Sequence, residues 1–264
     1  MAAAAAFDPA PPDWDISIHR EAPADCDVLV AVGVSVPGAL ELDPDRPEAV
    51  IDAIRRTTMH RRLIVVVGAS GGSGATSLAL HLAAASARRE PTAVVDLHPQ
   101  RAAAVRLGIA EDLPEGSETP VVQPVNGGFR LVLPADDGRD LTAALEGAFD
   151  RSRRVVVDSP TDRLGDLADP ADRVILVLTP TVPAAHKGAA LVAAYPACGW
   201  VPVTNRTGPG GETTRVDIER ILGLRISMEL PCSPGLRDAE DDSRLLTSTL
   251  SPWRARVARL SEAL

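Results

Sequence analysis

Between Val65 and Ala83 the sequence reads VVVGASGGSGATSLALHLA, an apolar run broken by a Gly/Ser turn and resumed by a second apolar run. A strand that enters a glycine turn and then opens a helix aims several backbone N–H groups, with the positive end of the helix dipole, at one point. An anion such as a phosphate is held there. The usual spacing, G-x-x-x-x-G-K-[ST], adds a lysine for the outer phosphates and a hydroxyl for magnesium. Ala69, Gly74, Ala75 and Thr76 occupy those four key places, so the cradle and the hydroxyl are kept while the cation and the first glycine are not. The chain has a single lysine, Lys187, and carries the rest of its positive charge on Arg. A general drift from Lys to Arg would have left Arg at position 75; Ala there means that charge is lost where it does chemistry.

Acidic residues close two later apolar runs. Asp96 ends VVDLHPQ and Asp158 ends VVVDSP. A carboxylate at the end of a buried strand facing a phosphate cradle holds Mg²⁺ directly or through water, and Thr76, Asp96 and Asp158 form such a set. Taken singly, each Asp reads equally well as a helix or turn cap. Their order after the glycine loop favours the cation reading.

The elements that must position these residues alternate. Strand-like runs LIVVVG, TAVVDL, FRLVLPA, RVVVDSP, RVILVLT, WVPVTN and LRISMEL are separated by helical stretches such as Thr76 to Arg88, Leu141 to Ser152 and Val216 to Leu222. The runs are mostly Val, Leu and Ile, as in strands covered on both faces, which predicts an α/β, doubly wound, mainly parallel sheet with helices on both sides. Ligands of such sheets bind at the carboxyl ends of the strands. Asn126-Gly127-Gly128 predicts a tight turn before FRLVLPA. Residues 1–15 are expected to be disordered. Residues 16–60 are expected to form a short extension with a strand in CDVLVAVG, a Pro-rich loop and a helix from about Arg46 to Thr58. Residues 61–264 are expected to form the main domain.

With these motifs in order, the chain resembles the ParA/MinD family of deviant Walker-A ATPases, and within it the TadZ/CpaE-like and septum-site-determining branch. The family loop, K-G-G-x-G-K-[ST]-[ST], is matched by Ser70-Gly71-Gly72-Ser73-Gly74-Ala75-Thr76-Ser77 with both lysines replaced. Its D-x-D-P-Q motif is matched by Asp96-Leu97-His98-Pro99-Gln100 with the second Asp replaced, and its D-x-P by Asp158-Ser159-Pro160. Asn205, at the end of a later strand, resembles the family's adenine reader, and Leu230-Pro231-Cys232 resembles the turn beside the base. The resemblance covers about residues 62–264. It implies a P-loop fold, Mg-ATP or ADP as ligand, nucleotide contacts from Ser70 through Ser77 with Asn205, Pro231 and Cys232, and a catalytic role for Asp96.

The departures bear on activity. By resemblance, the residue at Ser70 would reach a dimer partner's phosphates and the one at His98 would help to position water. Loss of one preorganised electrostatic donor costs roughly 3 to 4 kcal/mol of transition-state stabilisation. With Ser70, Ala75 and His98 all changed, weak nucleotide binding and little or no hydrolysis are expected. The resemblance then implies a spatial organiser for Tad-type pilus or secretion assembly, or for septum placement, with pilus, secretion or division proteins as partners and a homodimer within reach. The alternative is an active ATPase using a partner's cation or an unconventional one.

Composition narrows the rest. A net charge of −9 and a pI near 5.1 over 264 residues disfavour nucleic acid as the main partner, and the clusters Arg61–Arg62 and Arg151, Arg153, Arg154 read as solvated surface. Three widely spaced cysteines, Cys26, Cys198 and Cys232, without a C-x-x-C pair, argue against a metal cluster and a disulfide framework. Neither a spanning segment nor a signal peptide is read, so a cytoplasmic protein is expected. The last segment, PWRARVARLSEAL, places Trp253, Val257, Leu260 and Leu264 on one helical face. That stripe either docks on the protein's own core or lies on a membrane surface.

Overall fold

The computed structural model describes residues 30–32, 40–42, 61–112, 121–125, 128–134, 141–208, 213–241, 246 and 252–264. The chain divides into two compact units, Met1–His60 and Arg61–Leu264. In the first, β1 (Val30–Val32) pairs in parallel with β2 (Leu40–Leu42). The first strand lies within the CDVLVAVG run; the second falls where a Pro-rich loop was expected. The expectations for residues 1–15 and for a helix over Arg46–Thr58 lie outside the described residues.

The second unit is built on eight strands: β3 (Arg62–Gly68), β4 (Thr92–Asp96), β5 (Val121–Pro124), β6 (Arg130–Leu133), β7 (Arg154–Ser159), β8 (Arg173–Leu178), β9 (Trp200–Thr207) and β10 (Met228–Pro231). Their order is β10-β9-β8-β3-β7-β4-β6-β5. Every pairing is parallel except β5 with β6. All seven strands read from the sequence are present. The eighth, VVQP, is an edge strand too short for an alternation signal, and its Pro124 is tolerated at an edge because no ladder donor is needed there. Gly128, in the left-handed region at φ +84°, closes the β5–β6 turn by donating its N–H to Val125; Asn126 and Gly127 lie outside the described residues.

Side-chain alternation along β3 divides the core. Ile64 and Val66 face one side with Leu78, Leu82, Leu131, Trp253, Val257 and Leu260, while Val65 and Val67 face the other with Val95, Val157, Leu164, Leu176 and Ile218. Helices α1 (Ala75–Ser86), α2 (Ala102–Arg106) and α8 (Pro252–Ala263) cover the first face. Helices α3 (Leu141–Phe149), α4 (Leu164–Leu167), α5 (Val182–Ala194) and α6 (Arg215–Leu222) cover the second. Helix α7 (Pro234–Asp241) follows β10.

Trp253, Val257 and Leu260 of α8 are buried against α1 and β10. Burying three such side chains contributes roughly 5 kcal/mol before entropic costs. The apolar stripe of the terminal helix is therefore already occupied by the protein's own core, and a membrane contact through it would require undocking. A polar clasp fixes the far end. Arg154, 4 % exposed, donates to Ser86 Oγ and the Ser261 carbonyl (both 3.0 Å) and pairs with Glu90 at 2.7 Å. Arg154 thus departs from the solvated cluster read from the sequence: as the first residue of β7 it points under α8, where burial lowers its pKa. Arg151 and Arg153 are exposed as expected.

Candidate nucleotide site

Strand β3 runs directly into the glycine loop. Gly68 is needed at its mouth because a Cβ there would lie 2.3 Å from Ser73 Oγ. Gly72 and Gly74 take left-handed conformations, at φ +73° and +90°, that only glycine adopts cheaply. Ser73 donates its N–H back to Ser70 at 3.2 Å, folding the turn. Helix α1 then starts at Ala75, and its first i→i−4 bond runs from Leu78 N–H to the Gly74 carbonyl at 3.0 Å. Among the described residues no side chain caps this terminus, and no acidic residue sits in its first turn. A helix start left uncapped and bordered by exposed Gly71 and Gly72 suits an anion.

Two carboxylates lie beside the loop. The register sets Asp158 opposite Val66 on β3 and opposite Asp96 on β4. Asp96, 2 % exposed, accepts the N–H groups of His98 (3.0 Å) and Ala103 (2.8 Å). It therefore caps α2, a helix cap being one of the roles its position allowed. Burial, then the charge of Asp158, raise its pKa to about 6 against those two hydrogen bonds. Asp158 is fully buried, and among the described residues neither of its oxygens accepts a full hydrogen bond. Among the described residues it pairs with His98, whose Nε2 stands 3.5 Å from Oδ1. At that outer limit of hydrogen bonding the contact is chiefly electrostatic. The Asp158 carboxylate, as acceptor and as charge, raises the imidazole pKa, with burial and the charge of Arg106 opposing.

The residues expected on the base side gather at the ends of β9 and β10. Cys232 N–H donates to Thr207 O (2.8 Å), Thr207 Oγ1 donates to Leu230 O (3.0 Å), and Cys232 is exposed after Pro231. Asn205 is 3 % exposed and turned toward the loop: its Nδ2 donates to the Ser73 carbonyl at 2.8 Å. Its Oδ1 accepts Arg206 N–H and the Trp253 indole N–H, both at 2.9 Å. The structure thus joins Ser73 and Asn205 directly, and Asp96 and Asp158 as sheet neighbours. Sequence reasoning missed Trp253 and His81 as parts of the loop's surroundings. Trp253 was read only as an apolar stripe member, and nothing in its spacing signals the indole N–H. Lys187 lies exposed on α5. No group of three or more His, Cys, Asp or Glu side chains is arranged to hold a metal among the described residues, and no helix among them is long and apolar enough to cross a membrane.

No family model and no curated protein sequence matches the chain. Solved structures do. A chain of the Aquifex aeolicus MinC:MinD cell division protein complex aligns with a TM-score of 0.66 at 19 % identity, covering 76 % of this chain and 95 % of that one. A ParA family ATPase from Chlorobium tepidum aligns at 0.62 and 16 % identity, covering 77 % and 100 %. The septum site-determining protein MinD from Pyrococcus horikoshii, complexed with Mg-ADP, aligns at 0.62 and 14 %, covering 77 % and 95 %. The Arg61–Leu264 unit has the P-loop fold of the ParA/MinD ATPases.

The Pyrococcus horikoshii neighbour is complexed with Mg-ADP, and the residues here suit such a ligand unevenly. The glycine turn and uncapped helix suit the phosphates. Buried Asp158, short of hydrogen bonds, suits a hydrated cation, and Thr76, the second residue of α1, brings a hydroxyl to the helix start. The side-chain cation is missing at Ala75, and His98 already stands beside Asp158.

Proposed function

We propose that the protein is a ParA/MinD-like spatial organiser with a degenerate nucleotide site. It holds Mg-ATP or ADP weakly and hydrolyses ATP little or not at all. Bound nucleotide would lie on the backbone donors of the 70–77 loop, and Thr76 and Asp158 are the residues that would hold magnesium. The metal would supply charge compensation for the phosphates. The observation that carries this reading is a glycine turn running into an uncapped helix start, with alanine at position 75 and imidazole beside the buried Asp158. Positional work is the reading most compatible with that arrangement, because a ligand-gated shape can be kept after the transition-state charges are lost. The resemblance to TadZ/CpaE-like and septum-site-determining proteins supports pilus, secretion or division machinery as the partner, with pairing to a second copy.

Calorimetric titration with ATP and ADP, with and without Mg²⁺, tests the reading. Weak saturable binding is expected, strengthened at least about tenfold in Ala75→Lys, the gain expected from roughly 1.4 kcal/mol of added charge pairing. Absence of binding in both proteins overturns it.

One observation favours a second reading. Asp158 retains a carboxylate with capacity for a cation, so an active ATPase completed by a partner's cation predicts turnover that appears only when that partner is added.

A further inference from the structure

Asn205 is the centre of a hydrogen-bonded chain that runs from the terminal helix to the phosphate loop. Its two Oδ1 partners, Trp253 Nε1–H and Arg206 N–H, can only donate, and its Nδ2 partner, the Ser73 carbonyl, can only accept. The orientation of the amide is therefore fixed by chemistry, and both acceptor positions of Oδ1 are used. The amide presses close to the loop: a Cβ on Gly74 would meet Nδ2 at 2.3 Å. Trp253, 1 % exposed, reaches the loop's helix by a second route. Its ring meets His81 edge-on, with centroids 4.9 Å apart and planes at 80°, and His81 Nδ1 lies 3.0 Å from the Ser77 carbonyl. The helix that carries Trp253 is itself held at Ser261 by Ser86 and Arg154.

We infer that Trp253 is a positioning residue for the phosphate loop, acting through Asn205, which serves as the keystone of the loop. The inference rests on the loop being the ligand site. The consequence is that α8, while it stays docked, holds the loop in shape through the Trp253 indole N–H and the Asn205 amide.

The test is hydrogen–deuterium exchange of the full chain without ligand, comparing the peptide spanning residues 69–78 in wild type and Trp253→Phe. Phenylalanine keeps an aromatic ring on His81 and removes the N–H. Exchange in the loop is expected to rise about fivefold, the factor that one hydrogen bond of ordinary net strength represents, with α8 and the sheet unchanged. Asn205→Ala is expected to do the same, and the double variant to add nothing further, because both break one chain. Wild-type loop exchange in Trp253→Phe, or an equal rise across α8 and the core, overturns the inference. Should the variants fail to fold, the wild-type indole N–H resonance decides: it is expected to be protected from solvent and to shift on addition of pyrophosphate or ADP. Free exchange of that proton overturns the inference, as does an unmoved resonance when calorimetry records binding. If calorimetry records no binding, the proposed ligand site fails while the exchange result still judges the coupling.

Discussion

His98 Nε2 stands 3.5 Å from Asp158 Oδ1, at the end of two adjacent parallel strands, with Asp96 directly across the ladder. The buried acid is thus faced by a base. The pH behaviour of the fold should carry the mark of this pair. His98 holds its proton more tightly folded than unfolded, so its contribution is full below 6.5, its ordinary value, and is lost as pH rises through the higher folded value. Asp96 is raised from 3.8 to about 6, so the folded state again binds the proton more tightly and stability falls as pH rises between those values. Both act in the same direction. The thermal midpoint is expected to decline from about pH 5 to about pH 8, and His98→Asn to flatten the part above pH 6.5. A wild-type midpoint that rises over this range contradicts the pairing.

Gly74 is the tightest position of the loop. Alanine there meets both a φ of +90° and the Asn205 amide at 2.3 Å. Gly74→Ala is expected to lower stability by about 2 kcal/mol and to abolish the Asn205–Ser73 bond, read by denaturant unfolding. At Gly71, where a Cβ meets nothing within 4 Å and φ is not positive, alanine is expected to be near neutral.

Arg154 holds the terminal helix from beneath. Arg154→Met is expected to cost about 2 kcal/mol, since charged hydrogen bonds to Ser86 and Ser261 disappear and Glu90 is left without its partner. Limited proteolysis should then cut within residues 252–264 faster than in wild type. An unchanged digestion pattern would show that the apolar contacts of Trp253, Val257 and Leu260 hold the helix alone.

Much of this arrangement was legible in the chain itself. Runs such as RVVVDS and RVILVL cannot face water on either side, so the parallel sheet and its covering helices follow from them. Asp96 and Asp158 were recognisable because each interrupts an apolar run at its carboxyl end. What stayed hidden depends on long-range geometry. Arg154 looks like its exposed neighbours Arg151 and Arg153 until α8 folds over it, and Trp253 looks like a core residue until its indole N–H finds Asn205, 48 positions away. The short strand VVQP owes its state to pairing with β6, which local pattern does not encode.

His98→Asp is expected to draw magnesium to the site. A carboxylate in place of imidazole adds an oxygen ligand and removes the competing base, so nucleotide affinity should become Mg²⁺-dependent to a greater degree than in wild type. Titration of each protein with ADP, with Mg²⁺ and with chelator, measures this. Equal magnesium dependence in the two proteins would mean that His98 does not stand in the cation's way.

The most direct test of the central claim is a single-turnover measurement. Radiolabelled ATP is mixed with excess protein and Mg²⁺, and released phosphate is followed against an Asp158→Asn control. A degenerate site predicts no release above that control; phosphate that appears with Mg²⁺ and vanishes in Asp158→Asn would establish a working ATPase and contradict the account.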